Sequence, residues 1–336
     1  MREPGFWWQK PGFPARLLWP ASALYGAIAE RRMRQQGMRV QIPVICIGNF
    51  TLGGTGKTPT ALAIARLLIE SGEKPFFLTR GYGGNLAGPV RVDHAAHTAA
   101  DVGDEPLLLA RQAPAIVSRD RAAGAMLAQS LGATVIVMDD GLQNPSLAKD
   151  VSIAVADGRR GFGNACVFPG GPLRAPLQSQ FERVSAVLIV GKGTGAMQVT
   201  MRARENGRIV LHGRLEPSID AVKAIGRRKV LAFAGIGDPE KFFMTLASAG
   251  IEAQAEESFA DHHPYSEAEA ERILARCESE KLTPVTTEKD LVRLSGLDGA
   301  RARLSAAAKA IPVSLVVEES DDLRKLVRGA ISARRG

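Results

Sequence analysis

The chain has 336 residues, of which 45% are hydrophobic and 23% are charged, a composition that suits a folded α/β protein of one large or two ordinary domains. Its three cysteines, Cys46, Cys166 and Cys277, are too few and too scattered for a disulfide framework or a structural zinc site, and they favour a reducing compartment. The net charge of +8 indicates an acidic partner such as a nucleotide, a phosphorylated substrate or an anionic membrane surface, and no apolar run is long enough for a secure membrane span.

The N-terminal segment combines tryptophans, a helical apolar stripe and a basic end. Trp7, Trp8 and Trp19 are the three tryptophans of the chain. Apolar residues then recur at helical spacing and arginines follow them: Leu17, Leu18, Ala21, Leu24, Tyr25 and Ile28, then Arg31, Arg32, Arg34 and Arg39. This pattern is typical of an amphipathic helix in a bilayer interface, so we predict a membrane-associating helix over residues 1–38. The alternative is a helix that docks on the protein's own core.

A glycine-rich run lies between an apolar strand at 43–47 and an apolar helix at 61–69: Gly53, Gly54, Thr55, Gly56, Lys57 and Thr58. In such a loop the backbone N–H groups close around phosphate oxygens, and the following helix adds its dipole. Lys57 can reach the β- and γ-phosphates, and the Thr58 hydroxyl can ligate Mg²⁺. The sequence therefore predicts a nucleoside triphosphate site here, although Thr51 stands where the strict motif has glycine. A tight strand–helix connection is the alternative.

Short apolar segments alternate with helical segments from residue 40 to about 195. Their spacing is typical of βαβ units and of a parallel sheet covered on both faces. We predict strands over 43–48, 75–79, 115–118, 134–139, 151–156 and 184–190. A hairpin is predicted from 197–204 and 208–215, which flank Glu205-Asn206-Gly207.

A second α/β section begins at Lys229. Glu240 occupies its third dinucleotide-fingerprint position, which argues against a Rossmann cofactor site. Helices are predicted over 239–249, 266–280 and 321–333, and Ser266 with Glu269 predicts a capping box.

These patterns predict an α/β protein in which helices sandwich a P-loop parallel sheet, with a second, smaller α/β domain and an N-terminal amphipathic helix. The expected segments are an N-terminal helix at 1–38, a P-loop ATP-binding domain at 39–195, a hairpin linker at 196–226, a smaller α/β domain at 227–320 and a C-terminal helix at 321–336.

Acidic residues stand at the ends of two predicted elements. Asp139 and Asp140 end a buried strand, where a carboxylate holds Mg²⁺ beside a phosphate loop, and the sequence does not say which of the two is nearer the ion. Asp104 and Glu105 precede an apolar helix. A helix cap is the simpler interpretation of this pair, and a carboxylate that accepts a proton near the γ-phosphate is the other.

Two histidines and two arginines complete the candidates. His262 and His263 lie in a polar loop before a capped helix, where a histidine is either exposed or assists a catalytic carboxylate. Arg80 and Arg174 lie in glycine-rich segments and either hold phosphates or solvate their loops. Capping alone accounts for the segment 286–290.

Together, these motifs resemble the tetraacyldisaccharide 4'-kinases of lipid A synthesis. The matching segments follow the order of that family and cover most of the chain: 48–49 with 53–59, 79–84, 103–106, 139–143, 169–174, 259–262 and 286–290. The resemblance implies an ATP- and Mg²⁺-dependent kinase that phosphorylates the 4'-hydroxyl of a membrane-embedded tetraacyldisaccharide 1-phosphate. Thr51 belongs to this family's version of the loop.

The resemblance also implies roles for individual residues. Asp104 would be the catalytic base, His262 would support it with His263 as the alternative, and Lys57 would act on the transferred phosphate. The remaining implied sets are Thr51, Gly53, Gly54, Thr55, Gly56, Lys57 and Thr58 for ATP; Thr58, Glu105, Asp139 and Asp140 for Mg²⁺; and Arg80, Tyr82, Gln143 and Arg174 for the glycolipid. The enzyme would work at the cytoplasmic face of the inner membrane, as a peripheral or N-terminally anchored protein without a nucleic-acid partner.

Two other functions share parts of this pattern. A membrane-associated P-loop ATPase switch that dimerises across its nucleotide carries a lysine directly before the Gly-Gly of the loop, where this chain has Leu52. A soluble P-loop kinase for a small metabolite would have the same loop and terminal aspartate, but it would not need tryptophans beside a basic helix. A nucleic-acid-binding protein finds no support in any recognised module.

Overall fold

The structure, a computed structural model, describes residues 3–335, so Met1, Arg2 and Gly336 of the predicted terminal segments lie outside the described residues. The strands are β1 Val44–Gly48, β2 Pro75–Thr79, β3 Val90–Arg91, β4 Ala115–Val117, β5 Val135–Asp139, β6 Val151–Asp157, β7 Ala186–Val190, β8 Ile209–Pro217, β9 Val230–Ala234, β10 Ala253–Ser258, β11 Thr283–Thr286, β12 Lys309–Ala310 and β13 Val313–Val317. The helices are a 3₁₀ turn Gly5–Trp8, α1 Phe13–Leu17, α2 Trp19–Met33, α3 Lys57–Glu70, α4 Ala99–Val102, α5 Asp104–Ala110, α6 Arg121–Ser130, α7 Leu177–Phe181, α8 Thr194–Glu205, α9 Ile219–Ile225, α10 Pro239–Ser248, α11 Glu267–Ser279, α12 Glu288–Leu294, α13 Gly299–Ala307 and α14 Ser320–Arg335.

The first sheet has β1 near its centre. Its strand order is β13-β8-β7-β6-β1-β5-β2-β4-β3, and only the edge pairs β13–β8 and β3–β4 are antiparallel. Strands β1, β5 and β6 are buried along their whole length, as parallel strands are when helices cover both faces of a sheet. Ile47 of β1 pairs with Asp139 of β5, so the loop after β1 and the acidic end of β5 meet at one edge of the sheet.

The six predicted strands between residues 43 and 190 are all present, with ends shifted by at most two residues. The predicted hairpin is wrong. Its first arm belongs to helix α8, and β8 lies parallel to β7. Gly207 follows the helix C-cap Asn206 and has a φ of +66°. An Asn-Gly pair ends helices as readily as it turns hairpins, because both need a left-handed residue.

The second sheet is four-stranded, parallel and in the order β10-β9-β11-β12. We call residues 219–310 the small lobe and the other described residues the large lobe. After the small lobe the chain returns: β13 pairs with β8 at the edge of the first sheet, and α14 contacts β1 and β6. The predicted domain limits stay a prediction.

The helices predicted in the second half of the chain are confirmed as α10, α11 and α14. Ser266 and Glu269 form the predicted capping box at the start of α11: the Ser266 hydroxyl accepts from the Glu269 N–H, and the Glu269 carboxylate accepts from the Ser266 N–H. This local signal is therefore enough to fix where the helix begins.

Helix α2 docks on the large lobe through its small residues. Ser22 and Gly26 are buried, and the Ser22 hydroxyl accepts a hydrogen bond of 2.9 Å from the Gly170 N–H. The helix lies directly against the segment that follows Gly170, since a Cβ at Gly26 would be in van der Waals contact with Pro176 Cγ at 3.5 Å. The large apolar residues of α1 and α2 lie on the exposed side: Phe13, Leu17, Trp19, Leu24, Tyr25 and Ile28. Within residues 3–335, no helix is both long and apolar enough to cross a bilayer.

The three tryptophans do not form one cluster. Trp7 is buried, and its indole N–H donates to the Pro169 carbonyl at 3.0 Å. Trp8 lies under the guanidinium of Arg160, with 4.7 Å from Cζ to the ring centroid. Trp19 is 67% exposed. Two of the three are therefore engaged by the protein itself, and only Trp19 is free to contact a partner.

Gly103 sets the position of the residue that follows it, because it turns the chain between α4 and α5. Its φ is +89°, and a Cβ there would lie 2.4 Å from the Tyr82 carbonyl oxygen.

We expect Gly103→Ala to lower the free energy of unfolding by about 3 kcal/mol or more, since left-handed strain and a backbone clash act together. Gly132 has a φ of +88° and no atom within 4 Å of its Cβ position. Gly132→Ala should therefore cost only about 1 kcal/mol. Urea denaturation measures the free energy of unfolding of both variants. Equal losses in Gly103→Ala and Gly132→Ala would contradict the clash at Gly103.

Candidate active site

The phosphate loop connects β1 to α3. Gly53 and Gly56 both have a φ of +97°, a conformation that glycine adopts without strain. Helix α3 begins at Lys57, so the loop ends at the positive end of a helix dipole. The small lobe comes close to this loop, since a Cβ at Gly237 would lie 3.1 Å from the Gly54 nitrogen. The loop therefore presents N–H groups and a lysine to an anion at the boundary between the lobes.

Thr51 holds the start of the loop. It is buried and forms an isolated antiparallel bridge with Leu173, while the Leu52 N–H donates to the Pro172 carbonyl at 2.8 Å. Arg174 donates from Nε to the Thr51 carbonyl at 3.0 Å. This pairing needs an extended residue, which explains why a threonine can replace the glycine of the strict motif.

The residues predicted to surround a metal converge beside this loop. The Thr58 hydroxyl donates to Glu105 Oε1 at 3.4 Å, and Lys57 Nζ lies 3.8 Å from Asp140 Oδ1. Asp139 is fully buried at the end of β5, and neither of its carboxylate oxygens has a hydrogen-bond partner among residues 3–335. Burial, followed by the charge of Glu105, raises the pKa of Asp139 to about 7. A buried carboxylate without a partner is stabilised either by a bound proton or by a cation, which makes Asp139 a candidate metal ligand.

Asp140 is held by two cations. Arg174 Nη1 donates to its two oxygens at 2.8 and 3.0 Å, and Lys57 is the second positive neighbour. Burial raises the pKa of Asp140, but Lys57 and Arg174 outweigh burial and lower it to about 2. Arg174, predicted as a substrate residue, thus contacts both the phosphate loop and this carboxylate.

The site fits Mg²⁺. Its candidate ligands, Thr58, Glu105, Asp139 and Asp140, offer oxygen atoms only, as this hard cation prefers. The unpaired oxygens of Asp139 are the observation that favours a cation most directly.

Asp104 is buried at the first turn of α5, between the two lobes. Its Oδ2 accepts hydrogen bonds from Nε of Arg293, at 2.7 Å, and from Nη2 of the same side chain. Its Oδ1 lies 3.3 Å from Nδ1 of His262. Burial raises the pKa of Asp104, but the interactions with His262 and Arg293 outweigh it and hold the pKa well below its ordinary value. Gly103, not Asp104, occupies the N-cap position, so the predicted cap is wrong in its position. The acidic pair does lie in the first turn of α5, where the helix dipole favours it, and the carboxylate of Asp104 also contacts the small lobe.

The two adjacent histidines have different environments. His262 has a φ of +57°, contacts Asp104 and lies with its ring centroid 5.0 Å from that of Tyr82. Burial lowers the pKa of His262, but the carboxylate of Asp104 outweighs it and raises the pKa above its ordinary value. His263 instead places Nε2 2.9 Å from Glu269 and stacks on Phe259. Only His262 therefore faces the carboxylate of α5.

Three predicted substrate residues lie around the site without joining the acidic cluster. Arg80 and Tyr82 are exposed, and Tyr82 contacts His262 across the boundary between the lobes. Gln143 donates from Nε2 to the Asn49 carbonyl at 2.7 Å and to Gln180 Oε1 at 2.8 Å. The amide nitrogen of Gln143 is thus committed to the protein.

Two cations of the site were missed in the sequence. Lys289 Nζ donates to Glu105 Oε1, and Arg293 donates to Asp104. The capping predicted for the segment 286–290 is confirmed, since the Thr287 hydroxyl accepts from the Asp290 N–H. That local explanation was incomplete. Lys289 and Arg293 are four residues apart, which places both on one face of α12, and this spacing was the available signal.

A parallel sheet with a phosphate loop after its central strand, and a buried aspartate at the end of the neighbouring strand, defines a P-loop phosphotransferase. The carboxylates, lysines and arginines around the loop are the groups that such an enzyme needs. The profile of the tetraacyldisaccharide-1-P 4'-kinase family matches residues 14–332, and the chain belongs to this family.

Individual relatives agree with the family profile. The chain is 50% identical to the tetraacyldisaccharide 4'-kinase of Rhodopseudomonas palustris strain HaA2, with 100% of this chain and 98% of the relative covered. It is 49% identical to that of Bradyrhizobium sp. strain ORS 278, over 100% and 99% of the two chains. A crystal structure of LpxK from Aquifex aeolicus in complex with ATP has a TM-score of 0.73 and 26% identity, and it covers 95% of this chain and 100% of that one.

Family membership confirms the function predicted from the sequence. The protein is a kinase that uses ATP to phosphorylate the 4'-hydroxyl of a tetraacyldisaccharide 1-phosphate in lipid A synthesis. The predicted α/β fold with a P-loop sheet is confirmed as well. The two alternatives, a soluble small-metabolite kinase and an ATPase switch, are thereby excluded.

Proposed function

We propose that Asp104 is the general base of this reaction and accepts the proton of the sugar 4'-hydroxyl. The observation that carries the proposal is a charged, buried carboxylate at the lobe boundary, next in sequence to Glu105, whose side chain contacts Thr58 of the loop helix. A sugar hydroxyl is a poor nucleophile, so a nearby carboxylate that takes its proton lowers the barrier. The low pKa of Asp104 keeps it deprotonated at neutral pH, and it takes the proton late, when the phosphoryl group is largely transferred.

The other groups bind, orient and neutralise charge. The N–H groups of the loop 53–58 and the ammonium of Lys57 hold the phosphates of ATP and stabilise the charge that develops during transfer. Thr58, Glu105, Asp139 and Asp140 would hold Mg²⁺, and the ion would neutralise phosphate charge. Arg174 keeps Asp140 and the loop in place. The small lobe covers the loop at Gly237 and excludes water, which limits wasteful hydrolysis of ATP.

Asp104→Asn tests the base directly. The amide keeps the shape of the side chain but cannot accept the proton in the same way, so we expect turnover to fall by at least about 10²-fold. ATP should still bind, because the loop and Lys57 are unchanged. Labelled ATP with the disaccharide acceptor measures transfer, and calorimetry measures nucleotide binding. Asp220→Asn, an exposed carboxylate in the first turn of α9, is the matched control. Normal turnover in Asp104→Asn would remove Asp104 from the role of base.

The adjacent histidines provide a second, internally controlled test. Of the two histidines, only His262 contacts Asp104. We therefore expect His262→Gln to lower kcat by about tenfold or more, because the base loses one of its partners. His263→Gln should change kcat by less than about twofold, and it should mainly affect stability through lost contacts with Glu269 and Phe259. Initial rates at saturating ATP and acceptor, with thermal unfolding of both variants, make the comparison. The reverse order of effects would assign the role to His263.

We further propose that the enzyme works at the cytoplasmic face of the inner membrane, with α1 and α2 lying on the bilayer surface. The exposed apolar side of these helices supports this, since large apolar residues that face solvent together usually have a partner. Exposed arginines near the same helices, Arg16, Arg31, Arg32 and Arg34, suit anionic lipid headgroups. The acyl chains of the substrate are fixed in the membrane, so the enzyme has to come to them.

Substitutions on the exposed side of these helices test the proposal without disturbing their docked side. We expect Leu17→Ser, Trp19→Ser and Leu24→Ser together to reduce binding to anionic vesicles by about tenfold or more, because buried apolar area drives interfacial binding. Ile219→Ser, which removes an apolar residue that is 70% exposed in α9, is the control. Vesicle co-sedimentation measures the fraction of each protein that binds to anionic vesicles, and purely zwitterionic vesicles serve as the comparison. Unchanged binding by the triple variant would contradict this orientation.

A further inference from the structure

The two oxygens of Asp104 have different neighbours. Oδ2 accepts from Nε of Arg293 at 2.7 Å and also from Nη2, so one guanidinium donates two hydrogen bonds to this oxygen. Oδ1 accepts from the Glu105 N–H at 2.9 Å and lies 3.3 Å from His262 Nδ1. One oxygen is thus fixed by a permanent cation, while the other faces a histidine ring at the site.

Arg293 is itself held firmly. Its side chain is 6% exposed, and Nη1 donates to the Gly235 carbonyl at 2.6 Å and to Asp290 Oδ1 at 2.8 Å. Asp290 is fully buried and in turn accepts from the Tyr265 hydroxyl at 2.8 Å. A guanidinium whose Nη1 is held by two partners can impose one orientation on the carboxylate that accepts from its Nε and Nη2.

A role in stability alone does not account for this network well. Removing charges from water is costly, and a buried ion pair often contributes no more stability than a hydrophobic pair of the same size. Arg293 belongs to the small lobe and Asp104 to the large lobe, as defined above. A specific orientation of the carboxylate across the lobe boundary is something that an apolar pair could not provide.

We propose that Arg293 is the residue that positions Asp104 for catalysis, by occupying Oδ2 so that Oδ1 is the oxygen that accepts the proton. This inference rests on the proposed role of Asp104 as the base. The hydroxyl O–H bond breaks as the Oδ1–H bond forms, and the electron pair of that bond stays on the hydroxyl oxygen. This oxygen bonds to the γ-phosphorus of ATP while the bond from that phosphorus to the β,γ-bridging oxygen breaks, and ADP leaves with the electron pair of the broken bond. Arg293 touches neither the proton nor the phosphate, and it acts only through the geometry of Asp104.

The experiment compares Arg293→Ala and Arg293→Lys with the wild-type protein. Positioning predicts that kcat falls by about tenfold to 10³-fold while the KM values for ATP and acceptor change by less than about threefold. Lysine keeps the charge but loses the planar fork, so Arg293→Lys should also be impaired. Added guanidinium ion should restore part of the activity of Arg293→Ala, and methylammonium should not. Arg272→Ala, which removes an arginine with a 54% exposed side chain in the same lobe, is the control.

Combining the substitutions tests whether Arg293 acts through Asp104. In an Asp104→Asn background, Arg293→Lys should cause no further loss of kcat, because the group that it positions is already gone. An additive loss would overturn the inference, and so would full activity of Arg293→Lys or an effect confined to KM. If Arg293→Ala does not fold, Arg293→Lys decides the question in the same assays.

The outcomes separate this inference from the function on which it rests. If Asp104→Asn turns over normally, the base is misassigned and both proposals fail. If Asp104→Asn is inactive while both Arg293 variants keep the wild-type kcat, the base stands and only the positioning role of Arg293 is overturned.

Discussion

The site depends on the pairing of two adjacent acids with two cations across the lobe boundary. Asp104 and Glu105 begin α5 in the large lobe, and Arg293 and Lys289 lie one helical turn apart on α12 of the small lobe. Carboxylates this far from water are stable only beside a positive charge. The same pairing therefore joins the two lobes, and together with the larger effect of His262 it lowers the pKa of Asp104.

The phosphate site follows from the first sheet alone. The register of β1 and β5 places Ile47 beside Asp139, so the phosphate loop and an unpaired carboxylate share one edge. Lys57 and Arg174 neutralise Asp140, while Asp139 keeps both oxygens free of protein donors within residues 3–335. Neighbouring aspartates thus have pKa values moved in opposite directions by their surroundings, because burial dominates at Asp139 while Lys57 and Arg174 outweigh it at Asp140.

What the sequence predicted well is local. The phosphate loop, the acidic end of β5 and the capping box of Ser266 and Glu269 are each encoded within a few residues, and the six strands follow from short apolar runs. The hairpin prediction failed because Asn206-Gly207 fits a helix end and a turn equally well. The burial of Trp7 depends on Pro169, a distant residue that periodicity does not reveal. The roles predicted for single site residues stay predictions.

The cations of α12 were missed for the same reason. Lys289 meets Glu105 across 184 residues of chain and Arg293 meets Asp104 across 189, and no local pattern encodes such pairs. Helix capping was a sufficient local explanation for the segment 286–290, so its second role, supplying cations to the acidic pair of α5, was not predicted. The choice between His262 and His263 is of this kind as well, since only the three-dimensional neighbours of the two rings distinguish them.

The return of the chain after the small lobe has a consequence for synthesis. Strand β8 is complete at residue 217, but its outer partner β13 begins at residue 313, and α14 covers β1 and β6 only after that. While the ribosome makes the small lobe, the nascent large lobe carries the open outer edge of β8 and an uncovered apolar surface, and such surfaces favour contacts with other chains. Strand β13 and helix α14, which are made after the small lobe, therefore complete a sheet whose first strand, β1, begins at residue 44.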